Sequence, residues 1–503
     1  MPALYISGGR LFDLDGDVDQ PPLADVLIEN GSIVAVGPGA ERQALHRSDI
    51  QRLDASEMLL VPGLVNAHYH SHDVLLRGRF EQLPLDVWGL YSSPTNYDHG
   101  LSSDIHLRTL LGAADCLSNG VTTIQDMVTV ANADRAHLEA IVDAYRASGV
   151  RVSLGLQIAD RAPIDTVAYW DELDAGLRTR FSSAPGGVSE LQQLIETSSK
   201  SISDKRLTWA LAPSAPQRCS ERLMSWVADQ ASGSGMQVFT HMYEARNQAV
   251  LARTKYDRGS FLDYLDRFGL LGPGLTIAHG IWIGPEELER FGAAGANFAF
   301  NPASNLKLLN GFAPIREYVD CGATIALGCD NCSGNDAQSV FQSMKMFALY
   351  WAMQSGAGET GAAREAFKAA TIGGARALGL EGKIGRLKEG FQADLLLIDL
   401  AASNYRPLNS ALNQLVYGET GQAIDSVIVA GEILVRRGEL INHPSRDLKD
   451  AAEEARARLQ PEWDRVAQRN SEVVPELLRA FNKAQQFPLP FDRFRMQPRC
   501  SCH

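Results

Sequence analysis

Eight short apolar runs, rich in β-branched side chains, punctuate residues 61–380 and alternate with longer stretches of helical periodicity. They are GLVNAHYH (63–70), GVTTIQDM (120–127), RVSLGLQI (151–158), LTWALAPSA (207–215), MQVFTHMYE (236–244), LTIAHG (275–280), ANFAFNPASN (296–305) and ATIALGCD (323–330). Runs this continuously apolar suit strands covered on both faces, and parallel strands need a helix-length crossover between them. The intervening segments SDIHLRTLLGAADCLSN and ADRAHLEAIVDAYRASG supply such crossovers, with helical spacing that stops at Asn-Gly or Ser-Gly. Eight β/α units in one run favour a closed (β/α)8 TIM barrel, an α/β fold, over an open doubly wound sheet.

The flanks have another rhythm. LYISGGRLFD, ADVLIENGSIVAVGP and MLLVPG near the start, and QADLLLIDL and SVIVAGEILVRRGEL near the other end, read as strands broken at glycine turns. Residues 1–61 and 381–444 are therefore expected to form one composite β-sandwich, residues 62–380 the barrel, and residues 445–503 a charged C-terminal helical extension. A chain of 503 residues with a formal charge of −13 lacks the basic surface needed for a nucleic acid polymer or an anionic membrane. No apolar run reaches the roughly 18–20 residues of a membrane span. The first residues show no basic or apolar leader pattern, so a cytoplasmic protein is expected. The seven cysteines are odd in number and scattered, and Cys116, Cys219, Cys321 and Cys329 read as reduced core thiols. Cys500, Cys502 and His503 read as a frayed terminus.

Chemistry in a barrel of this kind sits at the C-terminal ends of the strands. The first run ends in His68-Tyr69-His70, which places both imidazoles on one face. His241, with Glu244 three residues beyond it, ends the fifth run; His279 ends the sixth and Asp330 the eighth. Any one of these has an ordinary structural reading, as a satisfied core histidine or a helix-capping aspartate. Their joint arrival at the ends of four strands does not. His68, His70, His241 and Asp330 form a nitrogen and oxygen set that suits Zn2+ or Fe2+. A bound Zn2+ can lower the pKa of a coordinated water to about 7. Asp330 can then take a proton, Glu244 can pass one to substrate, and His279 can orient water or polarise the bond attacked. His72 stands beside the set. His46, His99, His106, His137 and His443 fall in loops or helices and read as surface residues.

The sequence resembles the amidohydrolase superfamily in PGLVNAHYHSHDVLLRG, GVTTIQDM, FTHMYE, IAHGIWI, NPASNLKLLNGFAP, LGCDNCSGND and AATIGGARALGLEGKIGRLKEGFQADLLLID. These motifs run in the family's order from about residue 25 to about residue 435. HMYE and NPASNLKL look like those of its mononuclear aminohydrolases and chlorohydrolases, the subgroup of guanine, adenosine-type and cytosine deaminases and s-triazine hydrolases such as atrazine chlorohydrolase. The resemblance implies a barrel with a terminal β-sandwich and one divalent metal per subunit, on the positions matching His68, His70, His241 and Asp330. It also implies that Glu244 is the proton shuttle and that His279 stands outside the ligand set. Binuclear members carry a lysine at the end of strand 4, where this chain has LAPSAPQRC, and Lys205 precedes that strand. The chain departs from the subgroup after Asp330, where Asn331 and Cys332 replace the usual glycine, and after strand 2, where no purine or pyrimidine recognition motif stands.

The expected reaction is hydrolytic displacement at an sp2 carbon by a metal-activated water, releasing ammonia or an amine from a nitrogen heterocycle. Dechlorination, or cleavage of an amide, urea or carbamate bond, is the alternative at the same site. A homo-oligomer, a dimer or larger, is the expected assembly. Candidate pocket residues are Arg77, Trp88, Tyr91, Gln125, Gln157, Trp282, Asn301 and Ser304; Trp88 and Tyr91 have rings that can stack on a flat substrate. Asn305 and Lys307 are expected to brace the loop. Cys332 lacks the paired histidine that a nucleophilic thiol needs.

Overall fold

The computed structural model describes residues 3–45, 47–97, 100–443 and 445–495. His46, His99 and the Cys500 to His503 segment lie outside the described residues. Each apolar run contains one strand of a parallel sheet: β1 (Leu64–His70), β2 (Val121–Val128), β3 (Arg151–Ile158), β4 (Leu207–Pro213), β5 (Val238–Met242), β6 (Leu275–His279), β7 (Asn297–Phe300) and β8 (Thr324–Leu327). They pair in sequence order. Beyond β8, Asp330 and Asn331 pair in parallel with Tyr69 and His70 of β1, which brings the end of the eighth unit back to the first. All strand ends that carry the predicted chemistry therefore share one rim.

Local sequence sets the helices between them. Asp134 caps Arg135–Ser148 by accepting from the N–H groups of Ala136 and His137, and Gly149 ends that helix in the left-handed region at φ 75°. The seventh run was expected to extend to Asn305; its strand stops at Phe300, because Pro302 opens a helix, Pro302–Lys307, that turns the chain inward. His137 was expected at the surface but is buried, with Nε2 3.0 Å from the Gly100 carbonyl oxygen.

Strands from the two ends of the chain pair into one nine-stranded sheet, joined where Met58–Pro62 runs antiparallel to Leu395–Asp399. Leu4, Val26, Ile33, Leu60, Leu395 and Ile428 share one apolar core there. The C-terminal extension is helical, as Ser445–Asn470 and Val474–Gln486. The first helix packs on Leu85–Ser92 and Ser102–Ser118, the second on Leu85–Ser92 and Arg246–Lys255, so the extension lies against segments that follow β1 and β5. Among the described residues no helix is long and apolar enough to cross a membrane.

Candidate active site

The rim gathers the predicted ligands. Donor atoms of His68, His70 and His241 lie within 4.8 Å of one another, as do those of His68, His279 and Asp330. Asp330 Oδ1 is 3.4 Å from His68 Nε2 and 3.5 Å from His70 Nε2. His68, His70, His279 and Asp330 are each no more than 2% exposed.

The ring hydrogen bonds fix which nitrogens are bare. His70 Nδ1 lies 2.6 Å from the Met127 carbonyl oxygen, and His241 Nδ1 lies 2.6 Å from that of Ser214. A carbonyl only accepts, so in the neutral rings each Nδ1 carries the proton and each Nε2 is a lone pair. These two Nε2 atoms face each other at 3.2 Å, and the buried Nε2 of His68 has no hydrogen-bond partner among the described residues. Such an arrangement fits a divalent cation: lone pairs converge on one point, and backbone carbonyls set the tautomers from behind. Burial holds the His68 imidazole down at about 4, and burial followed by the charge of His68 holds His241 well below the ordinary range. Both are neutral near pH 7, the form that binds metal. Burial opposes ionisation of Asp330, but the adjoining His68 ring and the charge of His279 hold it well below the usual carboxylate range.

Glu244 and His279 border this set. Glu244 Oε2 is 3.7 Å from His279 Nε2, and Asp330 Oδ2 is 3.8 Å from the same nitrogen. His279 Nδ1 meets Asn305 Oδ1 at 2.9 Å, which turns its Nε2, unpartnered among the described residues, toward the carboxylates. Burial pushes the Glu244 carboxyl up to about 7, against the charge of His279. Tyr243, His279 and Asp330 all have left-handed backbones, with φ of 53°, 73° and 61°. Non-glycine residues there carry about 1–3 kcal/mol of strain each, and such strain concentrates at functional sites.

The pocket candidates divide. Gln125 is buried with both amide atoms unpartnered among the described residues, and Asn301 Oδ1 is likewise free. Gln157 is bound on both sides, accepting from Thr129 and donating to Ser214 at 2.9 Å. Ser304 donates to the Asn301 carbonyl. Arg77 turns outward to Asp115. The indole of Trp88 donates to Ser333, Tyr91 lies against Phe80, and Trp282 is enclosed by Arg246 and Phe494. Lys307 braces the loop through the Ser333 carbonyl and Asp336. Cys332 is buried, and burial pushes its thiol up to about 12, so it is no nucleophile at neutral pH. His72 lies 5.0 Å from His70, ring to ring, and accepts from the Thr129 N–H.

Sequence reasoning missed Asn310, whose Nδ2 donates to Glu244 Oε1 at 3.1 Å, and Gln248, which accepts the Glu244 N–H at 2.9 Å. It also missed Asp86, where burial raises the carboxyl to about 6 and Asn247 donates a hydrogen bond. Gln248 follows Glu244 by one helical turn, the only signal in the sequence for any of the three.

Residues 59–434 match the amidohydrolase family. A 5-methylthioadenosine/S-adenosylhomocysteine deaminase of Pyrococcus furiosus is 34% identical over 419 residues, covering 83% of this chain and 92% of that protein. An adenosine deaminase from Xanthomonas campestris, solved with bound zinc, has 27% identity and a TM-score of 0.79, covering 91% of this chain and 98% of its own. The zinc complex of an atrazine chlorohydrolase from Arthrobacter aurescens shares the fold at 22% identity and a TM-score of 0.76, covering 90% and 100%. With that match across the barrel and the candidate ligand set on its rim, this chain belongs to the amidohydrolase family.

Proposed function

We propose that the chain is a mononuclear metal-dependent deaminase that releases ammonia or an amine from a nitrogen heterocycle, with an aminopurine as the favoured class. His68, His70, His241 and Asp330 would hold one divalent metal per subunit, zinc in this reading. When bound, the metal supplies Lewis-acid polarisation and makes water a nucleophile near neutral pH. Glu244 holds a proton at Oε2 and delivers it to a ring nitrogen or to the leaving amine, since a carboxyl near neutrality can both take and give one. His279, oriented by Asn305, presents Nε2 to the same space and contacts water or substrate. Asp330 accepts a proton from the attacking water. Gln125 and Asn301 have the free amide capacity to read a ring edge.

The single observation that carries this reading is the placement of Glu244 Oε2 and Asp330 Oδ2 about the same nitrogen, His279 Nε2, at 3.7 and 3.8 Å. It gives one cluster both ligands and a separate proton carrier. The deaminase activities named for the relatives point to the same reaction. Metal-loaded protein should be assayed for ammonia with adenosine, 5′-deoxyadenosine and 5-methylthioadenosine, beside a chlorinated triazine and an aryl urea. Ammonia from an aminopurine supports the reading. Chloride from the triazine or amine from the urea, with no ammonia from any purine, overturns it. The same reading takes residues 1–61 with 381–444, 62–380 and 445–503 as the three units of the chain, in a cytoplasmic homo-oligomer. Light scattering on the purified protein tests the assembly.

A further inference from the structure

The segment from Ala484 to Phe494 lies beyond the residues that match the family, and it contacts two neighbours of Glu244, Arg246 in sequence and the Asn310 turn in space. On one side is Arg246, two residues past Glu244. Its Nε donates to the Ala484 carbonyl at 3.0 Å and its terminal nitrogen to that of Phe487 at 2.8 Å. The same guanidinium covers the face of Trp282 at 4.9 Å. On the other side is the turn at 310–312. The Phe312 N–H donates to the Arg493 carbonyl at 2.7 Å. Gly311, at φ 117°, passes so close that an added Cβ would lie 2.7 Å from that oxygen. Arg493 is itself held by a two-pronged contact with Glu317, at 2.6 and 3.0 Å. Trp282 closes the circuit: its indole N–H donates to the Asn310 carbonyl at 2.7 Å, and Phe494 packs edge-on against its ring at 5.1 Å. Asn310 then donates its side-chain N–H to Glu244 Oε1 at 3.1 Å.

We propose that this C-terminal tail is a positioning strap, which sets the Glu244 carboxylate for proton transfer by gripping Arg246 on one side and the Asn310 turn on the other. The proposal rests on the assignment of Glu244 as proton carrier. A free carboxylate samples several rotamers, and proton transfer needs one of them held within hydrogen-bond reach of the substrate. With Oε1 fixed by Asn310, Oε2 is left toward His279 and the ligand set. The strap acts through Arg246 and Asn310, so its residues are positioning residues only.

The test is a set of double-mutant cycles on full-length, metal-loaded protein, with the best aminopurine of the panel above as substrate. Asn310→Ala removes the last hydrogen bond, Gly311→Ala forces the turn off the Arg493 carbonyl, and Arg246→Ala releases the other grip. Each is made alone and with Glu244→Gln. Each single variant is expected to lower kcat by up to about 10²-fold, as a displaced catalytic group does, with KM and metal content unchanged. In the Glu244→Gln background none should lower kcat further, because the group being positioned is already gone. Arg246→Ala introduces no clash and carries the test if Gly311→Ala does not fold. Equal fold losses in both backgrounds would mean that the tail only stabilises the fold, and would overturn the strap. A full wild-type rate in Glu244→Gln alone is the distinct signature that the proton-carrier assignment has failed, and the strap falls with it.

Discussion

Arg151 and Asp394 form a buried two-pronged ion pair, with contacts of 2.8 and 3.0 Å, between the first residue of β3 and the entrance to the strand Leu395–Asp399. Asp394 Oδ1 also accepts the Ala430 N–H at 2.7 Å, and its carbonyl accepts that of Gly63. One carboxylate thus ties the barrel to the terminal sheet, at the end of β3 opposite the site. Removing one partner of a buried pair strands the other charge, at a cost of roughly 3–5 kcal/mol. Asp394→Ala is therefore expected to lower the denaturant midpoint strongly. Turnover and metal content of the protein that remains folded should not change. Unfolding curves and metal analysis on the same sample check both halves.

His241 and Glu244 stand three residues apart and should fail in different ways. His241→Ala removes one of the converging lone pairs, so metal and activity are expected to go together. Glu244→Gln keeps the shape and the Asn310 contact but cannot shuttle a proton. It should retain one metal per chain and lose about 10²–10⁴-fold in kcat, the usual contribution of a general acid–base. Metal stoichiometry beside steady-state rates separates the two.

Gly328 leaves room for the ligand set. An added Cβ there would lie 2.1 Å from Asn301 Oδ1, 2.9 Å from His68 Cβ and 3.0 Å from the His68 carbonyl. The last two neighbours belong to β1 and cannot swing away as a side-chain tip can. Gly328→Ala is expected to destabilise the fold by about 1–3 kcal/mol, as overpacking does, and to weaken metal binding by shifting His68. A chelator-competition titration would show a raised metal Kd; an unchanged Kd would mean that Asn301 alone gives way.

The barrel was legible because its strands are covered on both faces, which leaves an uninterrupted apolar run that few other structures need. The candidate ligands His68, His70, His241 and Asp330, with His279 beside them, were legible for the converse reason: they are polar residues at the ends of those runs. What surrounds them was not. Trp282 reads as a pocket residue, yet it packs against Phe494, a contact across more than two hundred residues that no local pattern encodes. Arg77 reads as a pocket cation but finds Asp115 on the helix Ser102–Ser118. Asn310 sits in a turn, where an asparagine is unremarkable, and its bond to Glu244 depends on how the tail holds that turn. His137 reads as a surface residue because one face of its helix is polar, and the loop at Gly100 covers it.

Asp86 gives a pH dependence with a definite sign. Burial raises its carboxyl to about 6 in the folded protein, against the ordinary 3.8 of the unfolded chain. Between those two values the folded state binds the proton more tightly, so stability falls as pH rises through the window and stays lower above it. Below about pH 4 the group is neutral in both states and this penalty is absent. Asp86→Asn keeps an oxygen to accept from Asn247 and never ionises. Its melting temperature should therefore exceed that of the parent chain at pH 7.5, and the gap should shrink as the pH is lowered from 6 to 4. Thermal melts across that range are the check. A gap that does not change with pH would mean that Asn247 and the helix around Asp86 already accommodate the charged carboxylate.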